Sequence, residues 1–216
     1  MIRAVIFDLD GVLVTTDEMH YRAWKRLADE HDIPFDRTTN SRLRGVSRME
    51  SLEIMLERAE RSYTPEQKLE MATQKNNWYR DLLADLTPDD VLSGAREMLV
   101  ELRNRGIAFA IGSSSRNAPV IIERVGLGDL IDAVVDGNHI KASKPDPEVF
   151  LLAAKALGVK QEECVVVEDA AAGIEAARRA GMAVFGIGAP GSLPGVADMA
   201  LNLSEVTVER LLGAGR

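Results

Sequence analysis

The sequence lacks the features of disulfide-stabilised and membrane-spanning proteins. It contains 1 cysteine in 216 residues, and a single cysteine excludes an internal disulfide. That residue, Cys164, begins an apolar run, so we expect it to pack in the core and not to act as a nucleophile. No apolar stretch approaches the length of a membrane span. We therefore expect a soluble protein of one or two domains.

Basic residues are also scarce. The chain has 26 lysines and arginines against 34 acids, which gives a formal net charge of -8 at pH 7. This balance disfavours nucleic acids and anionic membranes as partners, although a local basic pocket could still bind a small anion. The first residues do not follow the signal-peptide pattern, because Asp8 and Asp10 interrupt it. We expect a cytoplasmic monomer that binds neither nucleic acid nor membrane.

The first strand carries the first candidate residues for catalysis. Residues 4–7 form an apolar run of strand length, and Asp8, Asp10 and Gly11 follow it. Acids at this position lie at the carboxyl end of a buried strand, where open α/β sheets keep their active sites. Two carboxylates this close repel unless a cation joins them, and Mg²⁺ prefers such oxygen ligands. The alternative is a polar strand end that caps a turn.

The rest of the chain divides into a helical part and an alternating part. Helical spacing predicts helices over residues 18–31 and 49–60, and Thr64 followed by Pro65 predicts the start of a third. From Thr87 onward, strands and helices alternate, as they do in βαβ units. The predicted strands there are 107–111, 133–135, 164–167 and 183–187, and the predicted helices are 94–105, 147–157 and 173–180.

These patterns predict an α/β fold: a doubly wound parallel-sheet (Rossmann-like) core with an inserted all-helical cap domain. We assign residues 1–14 and 87–216 to the core and residues 15–86 to the cap. Helices inserted at the carboxyl end of a strand must lie over the active-site crevice, where they can act as a lid. Thr15 and Thr16 are the candidate hinge.

A second candidate stretch leads from a strand end into a helix. Ser113 and Ser115, with the amides that follow them, could hold a phosphate. The alternative is ordinary helix capping by a serine or by Asn117.

A third candidate is Lys144, which stands before Pro145. Asp146 is the expected N-cap of the next helix, with Pro147 in its first turn, so the backbone would hold Lys144 rigidly. A fixed lysine suits a phosphate or an aspartyl phosphate, although most lysines are simply solvated.

Glu168 and Asp169 repeat the arrangement of the opening strand. They follow three consecutive valines and would complete the ligands of a Mg²⁺ ion. Asp169 is the expected direct ligand, and Glu168 would bind through water or orient its neighbours. The alternative is a pair of acids that favour a helix N-terminus without any metal.

In this order, the four segments resemble the haloacid dehalogenase superfamily of aspartate-nucleophile phosphotransferases. The resemblance implies that Asp8 is the nucleophile and Asp10 the general acid and base. It implies that Ser113 and Lys144 bind phosphate, and that the metal site comprises Asp8, Asp10, Glu168 and Asp169. The dehalogenases of the superfamily lack the second aspartate, so Asp10 favours phosphate chemistry.

The helical insert resembles the cap of the β-phosphoglucomutase branch of this superfamily. In that branch, the arginine equivalent to Arg48 grips the phosphate remote from the nucleophile, and an arginine fork suits bidentate phosphate binding. Arg44 stands where the branch has lysine, which could change the sugar or the anomer. The residues that the resemblance assigns to phosphate or substrate binding are Ser113, Ser114, Ser115, Arg116, Asn117, Lys144, His20, Trp24, Arg44, Gly45, Val46, Ser47, Arg48, Ser51 and Lys75.

The resemblance implies a magnesium-dependent mutase that interconverts β-D-glucose 1-phosphate and glucose 6-phosphate. The reaction would pass through phospho-Asp8 and glucose 1,6-bisphosphate, which would also be the activator, and the partner would be a small phosphorylated sugar. A sugar-phosphate phosphatase with the same core residues is the alternative. A non-catalytic binding module is disfavoured, because all of the core residues are present.

Overall fold

A six-stranded parallel sheet forms the centre of the protein. In the computed structural model, which describes residues 1–214, the strand order is β3-β2-β1-β4-β5-β6. The strands are β1 (Ala4–Phe7), β2 (Ala108–Gly112), β3 (Ala133–Val135), β4 (Cys164–Glu168), β5 (Ala183–Ile187) and β6 (Met199–Ala200). The first strand therefore lies in the middle of the sheet, between β2 and β4.

The strand register brings the predicted functional segments to one edge of the sheet. Phe7 is opposite Ile111 of β2 and Val167 of β4, so these three parallel strands end at the same level. The amide of Asp8 donates to the Val167 carbonyl at 2.9 Å, which extends the pairing by one residue. The side chains that follow all three strands consequently meet above the carboxyl end of the sheet.

Helices cover both faces of the sheet because the strand side chains alternate. Val5 and Phe7 pack in one apolar cluster, whereas Ala4 and Ile6 pack in another on the opposite face. The core helices are α5 (Ala95–Asn104), α6 (Ala118–Arg124), α7 (Glu148–Ala156), α8 (Ala171–Arg179) and α9 (Val208–Leu212). The first cluster includes residues of α5, α6 and α9, and the second includes residues of α7 and α8. This is the predicted doubly wound core.

The first four helices after β1 form the cap, by which we mean residues 17–83. They are α1 (Asp17–Glu30), α2 (Arg37–Ser41), α3 (Arg48–Leu56) and α4 (Pro65–Leu83). Ser47 and Thr64 begin α3 and α4 with capping boxes that use Glu50 and Gln67. The cap has its own apolar cluster, which includes Trp24 and Leu52. The predicted fold class, a parallel-sheet core with a helical cap, is confirmed.

The two connections between core and cap lie side by side. Val14 forms an antiparallel bridge with Val91, and the amide of Leu92 donates to the Leu13 carbonyl at 2.9 Å. Paired crossings of this kind suit a hinge. The domain limits at residues 15 and 86 stay a prediction.

Several element boundaries differ from the sequence prediction. Helix α3 ends at Leu56 and not at residue 60, because the chain tightens into a turn in which the Ala59 amide donates to the Leu56 carbonyl at 3.0 Å. Helix α7 begins after Pro147, and Asp146 is not its N-cap, although its carboxylate accepts from the Glu148 amide at 2.9 Å. The sequence did not predict α2 or β6, which are too short to show a period.

Two predictions about general properties can be compared with the structure. Cys164 is fully buried in the second apolar cluster, as its apolar surroundings indicated. Within residues 1–214, no helix combines the length and the apolar character needed to cross a membrane.

Substituting two glycines should separate backbone strain from steric overlap. Gly94 and Gly106 both have left-handed backbone angles, with φ of 79° and 68°. A Cβ at Gly94 would overlap the backbone of Leu203 and Ser204, whereas a Cβ at Gly106 would have no atom within 4 Å. We expect Gly106→Ala to lower the free energy of unfolding by about 1 kcal/mol. Gly94→Ala should cost about 2 kcal/mol more, because backbone must move. Urea unfolding measures both, and equal losses would contradict this account.

Candidate active site

A buried ionic group lies where β1 and β4 end. The Nζ atom of Lys144 donates to Asp8 Oδ1 and, at 3.1 Å, to Glu168 Oε2. Lys144 and Glu168 are fully buried, and Asp8 is buried as well. Burial acts against the charge on Lys144, but the carboxylates of Asp8 and Glu168 raise its pKa above the ordinary value. Lys144 is therefore a fixed cation beside the Asp8 carboxylate.

Three acids at this sheet edge form a candidate metal site. Carboxylate oxygens of Asp8, Glu168 and Asp169 lie within 4.8 Å of one another. Burial and the Asp8 charge raise the pKa of Glu168 to about 8 and that of Asp169 to about 7. The raised pKa values show that Lys144 alone does not compensate the negative charge of these buried acids. A hard divalent cation would compensate it, and an all-oxygen ligand set fits Mg²⁺.

The backbone of Gly11 gives Asp169 its place in this cluster. Gly11 has a φ of 85°, and a Cβ there would overlap the Asp169 carboxylate. Glycine is thus required both by the turn after the first strand and by the close approach of the acid.

The carboxylate of Asp10 lies outside this group of three acids. Its Oδ1 atom accepts from the Thr16 hydroxyl, whose Oγ1 lies 2.9 Å from the Tyr79 hydroxyl. Burial, reinforced by the charge of Asp8, raises the pKa of Asp10 to about 7 despite the hydrogen bond from Thr16. A carboxyl group with such a pKa exchanges its proton readily near neutral pH. The predicted metal contact of Asp10 stays a prediction.

Tyr79 continues this polar chain into the cap. Its ring stacks on His20 at a centroid distance of 4.0 Å, and His20 Nδ1 lies 2.8 Å from Lys75 Nζ. Burial and the charge of Arg48 lower the pKa of Lys75 well below its usual value. Burial, followed by the charge of Lys75, likewise lowers the pKa of His20. Buried groups thus connect the Asp10 end of the site to the cap helices.

The serine loop after β2 lines the cavity, and two of its hydroxyls accept hydrogen bonds from amides of the same loop. Ser113 Oγ accepts from the Ser115 amide and Ser115 Oγ accepts from the Asn117 amide, each at 3.2 Å. Helix α6 has Asn117 as its N-cap and no side-chain capping hydrogen bond, so the capping alternative is wrong. Both hydroxyls remain able to bind a ligand, because a hydroxyl that accepts one hydrogen bond still has a proton to donate.

Two arginines from different parts of the fold line the same cavity. Arg48 lies at the start of α3 in the cap, and Arg116 lies in the core loop, where its Nε donates to the Gly137 carbonyl at 3.2 Å. Burial and the nearby charge of Arg116 lower the pKa of Arg48. Two guanidinium groups that repel each other across a cavity form a ready site for an anion.

Most of these groups line one cavity of about 640 Å³ between core and cap. This volume is typical of small-molecule sites. The predicted site residues that line it are Asp8, Asp10, His20, Trp24, Arg44, Gly45, Val46, Ser47, Arg48, Ser51, Lys75, Ser113, Ser114, Ser115, Arg116, Asn117 and Asp169. Lys144 and Glu168 lie beneath Asp8, and Thr15 and Thr16 lie in the connection to the cap.

Some of the residues predicted to bind the substrate are buried, or are already paired with another residue of the protein. Trp24, Ser51 and Lys75 are almost fully buried, and Lys75 Nζ lies 4.8 Å from the Trp24 ring centroid. Arg44 forms an ion pair with Asp17 at the rim of the cavity. Its side chain is half exposed, and its charge acts to lower the pKa of Asp169.

Sequence reasoning missed several residues of this cavity. Tyr79 is the clearest, and its signal was available: it lies one helical turn after Lys75 on α4. Asp17, Glu50 and Ser143 also line the cavity. Their contacts join segments that are distant in the sequence, and no local sequence pattern predicts such contacts.

Comparisons with known proteins agree with this geometry. The family model described as "Hydrolase: haloacid dehalogenase-like hydrolase" matches residues 2–181. The chain is 44% identical over 211 residues to a β-phosphoglucomutase of Bacillus subtilis, covering 97% of this chain and 93% of the relative. It is 34% identical to a phosphorylated carbohydrates phosphatase of Thermotoga maritima, covering 85% and 84%. The crystal structure of a β-phosphoglucomutase from Clostridium difficile superposes with a TM-score of 0.92 at 37% identity, covering 97% and 95%. The chain belongs to the haloacid dehalogenase-like hydrolase family.

Proposed function

We propose that this protein is a β-phosphoglucomutase, which interconverts β-D-glucose 1-phosphate and glucose 6-phosphate through glucose 1,6-bisphosphate. One observation carries the proposal: Asp8, with Lys144 beneath it, and the pair Arg48 and Arg116 line one and the same cavity. A bisphosphate needs both sites. The identity with the Bacillus subtilis mutase supports the same activity.

In the proposed reaction, an oxygen of Asp8 attacks the phosphorus of the C1 phosphate of bound glucose 1,6-bisphosphate, which leaves glucose 6-phosphate. The bond from phosphorus to the sugar oxygen breaks, and Asp10 gives a proton to the departing oxygen. In the other half of the cycle, Asp10 takes the proton of the C6 hydroxyl of β-D-glucose 1-phosphate, and the hydroxyl oxygen attacks phospho-Asp8. The bond from phosphorus to Asp8 breaks, and glucose 1,6-bisphosphate forms. The pKa of about 7 for Asp10 suits both directions. Lys144 and the Ser113 hydroxyl stabilise negative charge on the transferring group.

Asp8, Glu168, Asp169 and the Asp10 carbonyl would hold Mg²⁺, which supplies charge neutralisation at the transferring phosphoryl group when bound. We assign the ion to this place because the buried acids carry more negative charge than Lys144 compensates. The chain's own residues carry the phosphoryl group on Asp8, position it with Lys144 and Ser113, and move the proton at Asp10.

The cap residues would bind the sugar and its second phosphate. Arg48, Arg116 and Asn117 are the proposed ligands of the distal phosphate, and the Val46–Ser47 segment is the proposed sugar contact. A Cβ at Gly45 would lie 3.2 Å from the Ala170 Cβ, so this cap loop already lies against the core. We propose residues 15–86 as the moving unit, with Thr15 and Thr16 in the hinge.

A sugar-phosphate phosphatase is the second candidate. The identity with the Thermotoga maritima phosphatase favours it, and its core chemistry would be the same until water replaces the sugar hydroxyl. In either case we propose a small phosphorylated sugar as the only partner, a monomeric state and a cytoplasmic location.

Removing one acid should reveal the metal site without any activity assay. Without metal, Asp169→Asn should melt at or above the temperature of the parent, because the substitution relieves repulsion with Asp8. Mg²⁺ at about 100 times its dissociation constant should raise the melting temperature of the parent by about 5 to 10 °C and leave this variant unchanged. Asp85→Asn, which alters an exposed acid, is the control and should respond like the parent. An equal response of Asp169→Asn to Mg²⁺ would remove Asp169 from the site.

Truncating the cap arginine should separate the two candidate activities. Arg48→Ala removes a bidentate, charge-assisted contact worth about 2 to 4 kcal/mol, so mutase activity should fall roughly 30- to 1,000-fold. Hydrolysis of a small aryl phosphate, which has no second phosphate, should change little. The control is Arg42→Ala, because Arg42 pairs with Glu57 inside the cap. Equal losses of both activities in Arg48→Ala would favour the phosphatase.

A further inference from the structure

A hydrogen bond joins the cap to the loop that carries Lys144. The Ser143 hydroxyl, on the core, donates to Glu50 Oε2, on α3 of the cap. The two residues are 93 positions apart in the sequence. We call this pair the clasp. Neither residue belongs to the set assigned above to phosphate, sugar or metal.

On the cap side, the clasp is continuous with the phosphate-binding arginine. Glu50 Oε2 also accepts from the Ser47 amide at 2.9 Å and from the Ser47 hydroxyl at 2.7 Å. Burial works against the charge of Glu50, but the hydrogen bonds from Ser143 and Ser47 lower its pKa below the ordinary value. The acceptor is thus an ionised carboxylate that fixes the residue directly before Arg48.

On the core side, the clasp ends on a rigid loop. Glu148 Oε2 accepts from the amides of Lys141 and Ala142 at 2.7 and 3.0 Å. The Ser143 carbonyl accepts from the Asp146 amide at 2.9 Å. Because Ser143 directly precedes Lys144, the cap is tied to the backbone that positions the buried lysine.

A second contact between cap and core accompanies the clasp. The Asn117 side-chain amide donates to Asn76 Oδ1 on α4 at 3.0 Å. Asn117 itself is a proposed ligand of the distal phosphate, so we expect this contact to depend on the ligand. The clasp can close whether or not a second phosphate is present.

We propose that Ser143 and Glu50 are positioning residues that decide whether the phosphoryl group of phospho-Asp8 passes to a sugar or to water. The inference rests on the proposed mutase function. In hydrolysis, a water oxygen forms the new bond to phosphorus, the bond from phosphorus to Asp8 breaks, and the water proton goes to Asp10. Transfer to a sugar follows the same steps, with a sugar hydroxyl in the place of water. The clasp favours the sugar because a docked cap excludes water.

The experiment is a measurement of partition in Ser143→Ala, with β-glucose 1-phosphate and a trace of glucose 1,6-bisphosphate as substrates. The readout is the amount of glucose 6-phosphate formed for each inorganic phosphate released. Loss of a hydrogen bond to a charged acceptor should lower this ratio by roughly 3- to 30-fold. Ser143→Thr, which keeps a hydroxyl donor, should restore the ratio of the parent.

A cap variant tests the other end of the clasp. Glu50→Ala should lower the ratio at least as much as Ser143→Ala, and the double variant should lower it no further than Glu50→Ala alone. The matched control is Glu53→Ala, since Glu53 is on the same helix and pairs with Lys68 inside the cap. Its ratio should equal that of the parent. Glu50 also caps α3, so the Ser143 variants decide if Glu50→Ala folds poorly.

The outcomes separate this inference from the proposed function. A parent enzyme that forms no glucose 6-phosphate would overturn the mutase proposal itself. A parent that isomerises its substrate, with an unchanged ratio in Ser143→Ala, would overturn only the clasp. Equal loss of both products in Ser143→Ala would also overturn it, because the residue would then act through Lys144 and not through the cap.

Discussion

The buried ion pair that Lys144 makes with Asp8 and Glu168 is the interaction on which the rest of the site depends. Burying ionised groups is costly unless they are paired, and removing one partner from such a group is strongly destabilising. The strand register places Asp8 and Glu168 side by side, and the loop after β3 brings Lys144 to them. The remaining negative charge at this edge suits a metal ion, and the fixed cation of Lys144 suits a phosphoryl group on Asp8.

A second constraint comes from the opposite side of the cavity. Arg48 and Arg116 belong to the cap and the core, and their charges repel each other. An anion between them turns this repulsion into an attraction that holds cap and core together. The distal phosphate of a bisphosphate would therefore close the cavity as it binds. This links substrate recognition to the exclusion of water, which separates a mutase from a phosphatase.

The sequence predicted the parts of this account that depend on local patterns. Apolar runs that end in acids located β1 and β4, and capping signals located the start of α4 at Pro65. The hydrogen-bond chain from Asp10 through Thr16 to Tyr79 escaped prediction, since it joins residues up to 63 positions apart. The same holds for the contact between Ser143 and Glu50. The early end of α3 escaped for another reason, because amphipathic spacing continues past the residue at which the helix stops.

The central claim is that the residues of one cavity catalyse the transfer of a phosphoryl group between two positions of a sugar. Phosphorus NMR of the protein with Mg²⁺, β-glucose 1-phosphate and a trace of glucose 1,6-bisphosphate tests this claim directly. The account predicts that the signal of the substrate is replaced by that of glucose 6-phosphate, with little inorganic phosphate. Conversion of the substrate to inorganic phosphate alone, with no glucose 6-phosphate at any time, would contradict it.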